Sequence, residues 1–213
     1  FMDATKGTAA KGNVRGLLAA FAFSGFAGLV YEVVFAKELA HTFGSTAKAS
    51  TTVLATYMGG LALGSYLGAK LVERYRNRAL HLYAYAETGV GVLCAVSPYG
   101  FKLVRNLYVS IAHGMDSSSP SLTSLQLALG ALVLLPPTVL MGMTMPALAA
   151  HLEARRESLG RSIAVLYGAN TLGAALGAIV TGYYLMPALG IRNATWLAMG
   201  LNFAAALIGL VLA

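Results

Sequence analysis

Six stretches of this chain run for about 20 residues or more with at most one charged side chain each. A helix needs about 20 predominantly apolar residues to cross the hydrocarbon core of a bilayer. Only 11% of the 213 residues are charged, whereas a soluble domain carries about 25%. These features exclude an ordinary soluble enzyme and predict an all-α integral membrane protein with six transmembrane helices. The predicted spans are 17–36, 49–69, 82–101, 122–150, 162–191 and 193–213.

The fourth and fifth stretches are longer than one bilayer crossing requires. Such lengths predict a tilt, a break or an end outside the membrane. Because proline interrupts a helix, we expect a bend in the fourth helix at Pro136, Pro137 and Pro146, and we expect Pro187 to end the fifth. The amphipathic residues 102–113 either extend the third helix or lie on the membrane surface.

The distribution of basic residues predicts the orientation. Ten Lys and Arg residues lie in the N-terminal segment and in the loops after the second and fourth stretches, and five lie on the other side. The positive-inside rule therefore places both termini in the cytoplasm. We divide the chain into a cytoplasmic segment, 1–16, and a six-helix transmembrane domain, 17–213. Since no charge follows Arg192 and the sequence starts at Phe1, we expect it to be a piece of a longer protein.

Small residues recur every four positions in the second and fifth stretches. Lipid tails provide no hydrophobic drive between helices, so small residues that allow close approach stabilise helix pairs. The run Leu-Gly-Ser-Tyr-Leu-Gly at 63–68 is echoed by Leu-Gly-Ala-Ala-Leu-Gly at 172–177, in positions that would correspond in a three-plus-three inverted repeat. The predicted packing residues are Gly60, Gly64, Gly68, Gly173 and Gly177.

Two carboxylates fall inside apolar stretches, Glu32 near the outer end of the first and Glu87 in the third. A charged group in a span is costly and usually faces a partner or a cavity. Glu32 is interpreted as a cation or proton site, as a structural ion pair with a nearby Lys or Arg, or as an interfacial carboxylate that reaches water by snorkelling. For Glu87, pairing with the basic loop 74–78 is slightly preferred over a binding role.

If both carboxylates faced one cavity, they could hold two ammonium groups of a long cation. Nearby tyrosines could add cation–π contacts. Asn170, in the uncharged fifth stretch, either lines such a site or bonds across to another helix. The predicted substrate-binding residues are Glu32, Tyr31, Glu87, Asn170 and Tyr57.

No metal site, cofactor or catalytic residue is expected in this chain. The four histidines lie near the ends of the predicted spans and far apart in sequence, and the single cysteine, Cys94, sits in an apolar stretch. The net charge of +7 comes from short clusters between apolar runs, so it predicts membrane lipids rather than nucleic acid as partners.

Four segments resemble the integral-membrane part of bacterial spermidine synthase-like proteins fused to a major-facilitator-like domain. They read SGFAGLVYEVVFAKELAHTFGSTAKAS from Ser24, MGGLALGSYLGAKLVER from Met58, PPTVLMGMTMPA from Pro136 and LYGANTLGAALGAIVTGYYLMPALGI from Leu166. The resemblance implies half of a major-facilitator transporter in the bacterial inner membrane. It also implies a cytoplasmic aminopropyltransferase-like domain after the last helix, which residues 1–213 do not contain, so enzyme activity is left open.

Three functions remain open from the sequence. The chain is a module that binds or transports a cationic amine such as a polyamine, and six helices would then require a homo-oligomer or a partner. Alternatively, it is a structural or assembly subunit of a larger membrane complex, without transport or catalysis of its own. Third, it anchors an enzyme whose catalytic domain follows Ala213.

Overall fold

The computed structural model describes residues 2–44, 47–116, 119–154 and 159–213, and nearly all of them are helical. A 3-10 turn, Arg76–Arg78, joins the second helix to the third, and a π-helical turn, Thr181–Leu185, joins the fifth to the sixth. The helices are α1 (Met2–Phe43), α2 (Ala47–Arg74), α3 (Ala79–Ala112), α4 (Pro120–Ala154), α5 (Leu159–Val180) and α6 (Met186–Val211).

Four helical runs within the described ranges are long and apolar enough to cross a membrane. The last of them contains both α5 and α6. The glycine, threonine and serine residues of α2 dilute its apolar stretch, and α2 is not among the four. The protein is therefore all-α, with the helices of a multi-pass membrane protein. The four runs are Val14–Phe43, Arg76–Ala112, Pro120–Glu153 and Gly160–Val211.

Helix ends differ from the sequence-based expectations in specific places. The first helix already begins at Met2, so the N-terminal segment is continuous with the first predicted span. The amphipathic residues after Phe101 extend α3 as far as Ala112 rather than forming a separate surface element. All three prolines of the fourth stretch lie within the single helix α4.

The expectation that Pro187 ends the fifth helix was wrong. The chain leaves the helical path at Gly190, where φ is 73° and ψ is 173°, a conformation that costs glycine little. Pro187 sits in the first turn of α6 instead. Since Pro187 has no N–H and its ring would meet the carbonyl of Tyr183, the preceding turn widens. In that π turn the Met186 amide donates to the carbonyl of Thr181.

Contacts along α1 show that α5 runs parallel to it. The backbone of Ala22 lies against Gly173, and one turn further along both helices the backbone of Phe26 lies against Gly177. In each pair a Cβ atom added to the glycine would overlap a carbonyl oxygen of α1. The two helices are therefore in direct backbone contact, which small residues alone permit.

The same helix shows that α6 runs in the opposite direction. Leu212, at the end of α6, lies beside Gly16 near the beginning of the apolar part of α1, whereas Asn202 bonds to Tyr31 further along. The chain therefore reverses its direction between α5 and the body of α6, and Gly190 is where the helical path breaks. The start of the apolar part of α1 and the end of α6 lie at the same end of the bundle.

The remaining helices complete an alternating pattern. Gly64 and Gly68 of α2 lie against the backbone of α4, which runs parallel to α2. Helix α3 packs antiparallel to both α4 and α6. In each case two contacting pairs show this, because the residue number rises along one helix as it falls along the other. Helices α1, α3 and α5 therefore share one direction, and α2, α4 and the body of α6 share the other. The pairs for α2 with α4 are Gly64–Val139 and Gly68–Met143, those for α3 with α4 are Gly89–Leu140 and Gly100–Val133, and those for α3 with α6 are Glu87–Asn202 and Tyr83–Gly209.

The closest backbone contacts occur twice, in equivalent places. Gly173 and Gly177 follow Gly64 and Gly68 by 109 positions, and their contact residues on α1 precede those on α4 by 117 positions. A third pair obeys the same two offsets, because Gly25 lies against the backbone of Asn170 as Gly142 lies against that of Leu61. Helices α1–α3 and α4–α6 thus form two repeats, in which α5 packs on α1 as α2 packs on α4.

Candidate functional site

A cavity of about 250 Å³ lies where the α1–α5 pair meets the α2–α4 pair. All four helices contribute to its wall, among others through Gly28, Tyr57, Ser65, Met141 and Asn170. These residues lie in the middle third of their helices rather than at the ends. We call this space the four-helix cavity.

Tyr57 ties α2 to α1 at this cavity. Its hydroxyl group donates a hydrogen bond to the backbone carbonyl of Gly28, at 2.7 Å, and lies 3.3 Å from the sulfur of Met141. Glu32 follows Gly28 by one helical turn, is only partly buried, and is close enough to Tyr57 to interact with it electrostatically. Glu32 is not part of the cavity wall, but it lies one helical turn beyond Gly28, which is part of it.

Asn170 and Ser65 are among the other polar residues that line the four-helix cavity. Asn170 of α5 lies against Gly25 of α1, and its side-chain oxygen points to the place that a Cβ of Gly25 would occupy. Ser65 of α2 donates a hydrogen bond to the carbonyl of Gly142, at 3.1 Å. The cavity is thus lined by hydroxyl and amide groups on an otherwise apolar wall.

A second polar cluster is fully buried between α1, α3 and α6. The Tyr31 hydroxyl donates to Oδ1 of Asn202, at 2.9 Å, and Nδ2 of Asn202 donates to Oε2 of Glu87, at 2.6 Å. Tyr31 and Glu87 have no exposed surface, and Asn202 is 2% exposed. The two bonds fix both ends of the Asn202 amide, so the cluster joins three helices through one side chain.

The five predicted binding residues therefore separate into two groups. Tyr57 and Asn170 line the four-helix cavity, and Glu32 lies one helical turn beyond its wall. Tyr31 and Glu87 lie in the buried cluster. Consecutive residues on an α-helix point about 100° apart, and this is why Tyr31 and Glu32 face different neighbours. Among the described residues, the four-helix cavity is lined by neither of the two carboxylates, and the binding role of each residue stays a prediction.

The preferred reading of Glu87, a pairing with the basic loop, was wrong. Glu87 instead bonds to Asn202, while Arg76 of that loop forms an ion pair with Glu153 at the end of α4. Both partners of this ion pair are about half exposed. The length of α3 explains the difference, because Glu87 lies more than two helical turns beyond the loop.

For Glu32, no ion pair occurs within the described residues, and the side chain of Lys48 lies outside them. Sequence reasoning missed Asn202 and Ser65. Asn202 stands in an uncharged apolar stretch as Asn170 does, so the same argument applied to the last span would have found it.

The five glycines predicted to pack helices all lie in close interfaces. Those of α2 meet α4 and those of α5 meet α1, through backbone or short side-chain atoms. By contrast, an added Cβ at Gly59, Gly168 or Gly182 would meet no atom within 4 Å.

A larger cavity, of about 870 Å³, lies near the C-terminal end of α1. Its lining includes Lys37 and His41 of α1, and Pro187 and Gly190. In the part of the chain that the structure describes, no three His, Cys, Asp or Glu side chains are grouped so that they could hold a metal ion. Comparison with protein-family models, with curated proteins and with solved structures found no match for this chain.

Proposed function

We propose that this chain is a six-helix integral membrane module that binds a cationic amine, such as a polyamine, at the four-helix cavity. The observation that carries the proposal is the position of Glu32, one helical turn beyond the cavity wall and within electrostatic range of Tyr57. A carboxylate inside an apolar helix, without an ion-pair partner in the described part of the chain, is expected to serve a cation or a proton. An aromatic ring next to it adds attraction for an ammonium group.

The alternating helix directions support six crossings. An odd number of crossings would put the start of α1 and the end of α6 at opposite ends of the bundle, whereas Gly16 and Leu212 lie side by side. The excess of basic residues at that end favours a cytoplasmic position. Together with the resemblance found in the sequence, this orientation supports the bacterial inner membrane as the location.

The place and size of the cavity support a small ligand. It lies at the interface of the two repeats, where transporters built from repeats bind their substrates. Its volume is slightly below the usual range of about 300–1,000 Å³, so a slender molecule fits better than a bulky one. Because Glu87 is enclosed elsewhere, Glu32 is the one of these two carboxylates that is proposed to bind the amine. We propose that a second copy or a partner subunit completes the transport path.

Binding of labelled spermidine to the protein in lipid nanodiscs tests this proposal. Glu32→Gln removes the charge but keeps the shape, and we expect it to weaken binding at least tenfold. The matched control is Glu73→Gln, which removes an exposed carboxylate of α2 and should leave binding unchanged. Tyr57→Phe should weaken binding less than Glu32→Gln, since the aromatic ring remains. Equal binding of spermidine by wild type and Glu32→Gln would rule out the proposed amine site.

The alternative, a structural or assembly subunit, is favoured by the outer face of α5. Gly168 of α5 and Gly182 of the π-helical turn that follows are open to approach, and the large aromatic side chains of Tyr183 and Tyr184 are exposed in that turn. Another helix could therefore come close to α5. Purification in mild detergent tests this alternative, which predicts stable co-migration with other subunits that Gly168→Leu disrupts and spermidine does not strengthen.

A further inference from the structure

The carboxyl group of Glu87 has one bonded oxygen and one free oxygen. Oε2 accepts the hydrogen bond from Asn202, whereas Oε1 has no hydrogen-bond partner among the described residues. The hydroxyl group of Tyr83, one turn before it on α3, faces this carboxyl group and also lacks a partner there. Two unpartnered polar atoms thus face each other in a fully buried place.

Ser24 connects this enclosed group to the four-helix cavity. Its hydroxyl faces the Glu87 carboxyl group, and the same residue forms part of the cavity wall. Glu87 itself does not line that cavity. The space inside has room for several water molecules at about 30 Å³ each. One hydroxyl group therefore separates an accessible polar space from a buried carboxyl group.

The surroundings of Glu87 contain no compensating charge in the described structure. The titratable groups near it are the phenols of Tyr31 on α1 and Tyr83 on α3, with Cys94 of α3 beside Tyr31, and α6 contributes the neutral amide of Asn202. An isolated ion in such a place is costly, so the charge has to be neutralised by something that binds. Because Glu87 has no exposed surface, a proton is the neutralising ion that needs the least additional space.

We propose that Glu87 is a proton-binding site that exchanges with the four-helix cavity through Ser24. A hydronium ion in the cavity gives a proton to Oγ of Ser24 while the serine hydroxyl proton passes to Oε1 of Glu87. The products are a water molecule, an unchanged serine and a neutral carboxylic acid. The new O–H group donates a hydrogen bond to the Tyr83 oxygen, which satisfies both unpartnered atoms.

The proton site deepens the proposed function, on which its role in coupling rests. If an amine binds at Glu32, a proton on Glu87 can be taken up or released in the same transport cycle. The proton site can be measured without any amine, however, so failure of amine binding and failure of the proton site are distinguishable.

Infrared spectroscopy of the whole chain in nanodiscs, at neutral pH and without amine, tests the proton site. We expect a carbonyl stretching band from a protonated carboxylic acid that Glu87→Gln removes and the exposed control Glu73→Gln leaves in place. Ser24→Ala should keep the band but slow its shift in deuterated buffer at least tenfold, because the exchange route is lost.

Tyr83→Phe makes the test independent of whether Glu87→Gln folds. Loss of the phenol oxygen should move the band to a higher frequency without removing it, since the acid O–H group loses its acceptor. Absence of the band from the wild type, or its persistence in Glu87→Gln, would overturn the proton site. Exchange in Ser24→Ala as fast as in the wild type would overturn the route through Ser24. Once the proton site at Glu87 is established, spermidine should change its carboxylic-acid band in wild type and not in Glu32→Gln.

Discussion

The two three-helix repeats share their packing but differ in their polar side chains. In both, the backbone of one helix lies directly against glycine on another, and three such contacts recur at constant offsets. At the same offsets, Tyr57 corresponds to Leu166, Ser65 to Ala174, Tyr31 to Leu148 and Ser24 to Met141. Conversely, Asn170 of the second repeat corresponds to Leu61.

This difference separates the small residues that pack the helices together from the polar side chains that could bind a ligand or a proton. Close backbone approach requires the same small residues in both repeats, because any side chain would overlap the facing helix. The polar groups are not needed for that approach, so they need not recur at equivalent positions. The second repeat contributes Asn202, which meets Glu87 of the first repeat at the boundary between them.

The largest effects are expected where the repeats agree. Gly64→Ala and Gly173→Ala should each lower the free energy of unfolding by about 3 kcal/mol or more, since the added methyl group would overlap a backbone carbonyl that cannot move aside. The two effects should be similar if the repeats are equivalent. Unfolding in mixed micelles measures both variants.

Gly59→Ala and Gly168→Ala are the matched controls for this prediction. Both glycines lie on the same two helices with open space around them, so alanine should be neutral or stabilising by up to about 1 kcal/mol. A loss at Gly64 without a comparable loss at Gly173 would break the equivalence of the repeats.

An intermediate effect is expected at the boundary between the repeats. Asn202→Leu leaves the Tyr31 hydroxyl and the Glu87 carboxyl group without their shared partner, and each unsatisfied buried group costs about 1–3 kcal/mol. Thermal unfolding should show a clear loss of stability. Asn193→Leu, at an exposed position of the same helix, should show little change. Equal melting temperatures for the two variants would mean that this cluster does not join the repeats.

The smallest effects are expected when a hydroxyl group is removed from one repeat or added at the equivalent position of the other. Ser65→Ala removes a hydrogen bond to the carbonyl of Gly142 and should cost about 0.6 kcal/mol. At the equivalent position, Ala174→Ser should gain a similar amount by bonding to the carbonyl of Gly25. Replicate unfolding curves for both variants, compared with the double variant, measure the two changes. A destabilising Ala174→Ser would show that the second repeat has no room for the first repeat's hydroxyl group.

Much of the helical framework could be predicted from the sequence. Long uncharged stretches identify the helices, because an apolar run of about 20 residues is typical of a membrane-spanning helix. The four-residue spacing of glycine identifies the close-packed faces, because residues four apart lie on one side of a helix. The position of the break after the fifth helix could not be predicted, because it occurs at Gly190 within α6 rather than at Pro187.

The candidate site was only partly within reach of the sequence. Glu32 and Glu87 are equally conspicuous as carboxylates in apolar stretches, yet Glu32 is only partly buried and Glu87 is enclosed with Asn202. Periodicity tells which residues share a face of one helix, and it does not tell which face of which helix lies opposite.

The sequence by itself therefore determined that the chain forms long apolar helices with glycine-lined faces, since these features depend on local composition and spacing. The tertiary structure alone decided which helices pair, where the chain turns back, and that Tyr31 and Glu32 belong to different polar groups. The reason is physical: residues far apart in the chain, such as Tyr31 and Asn202, meet only when packing has chosen one arrangement of the helices.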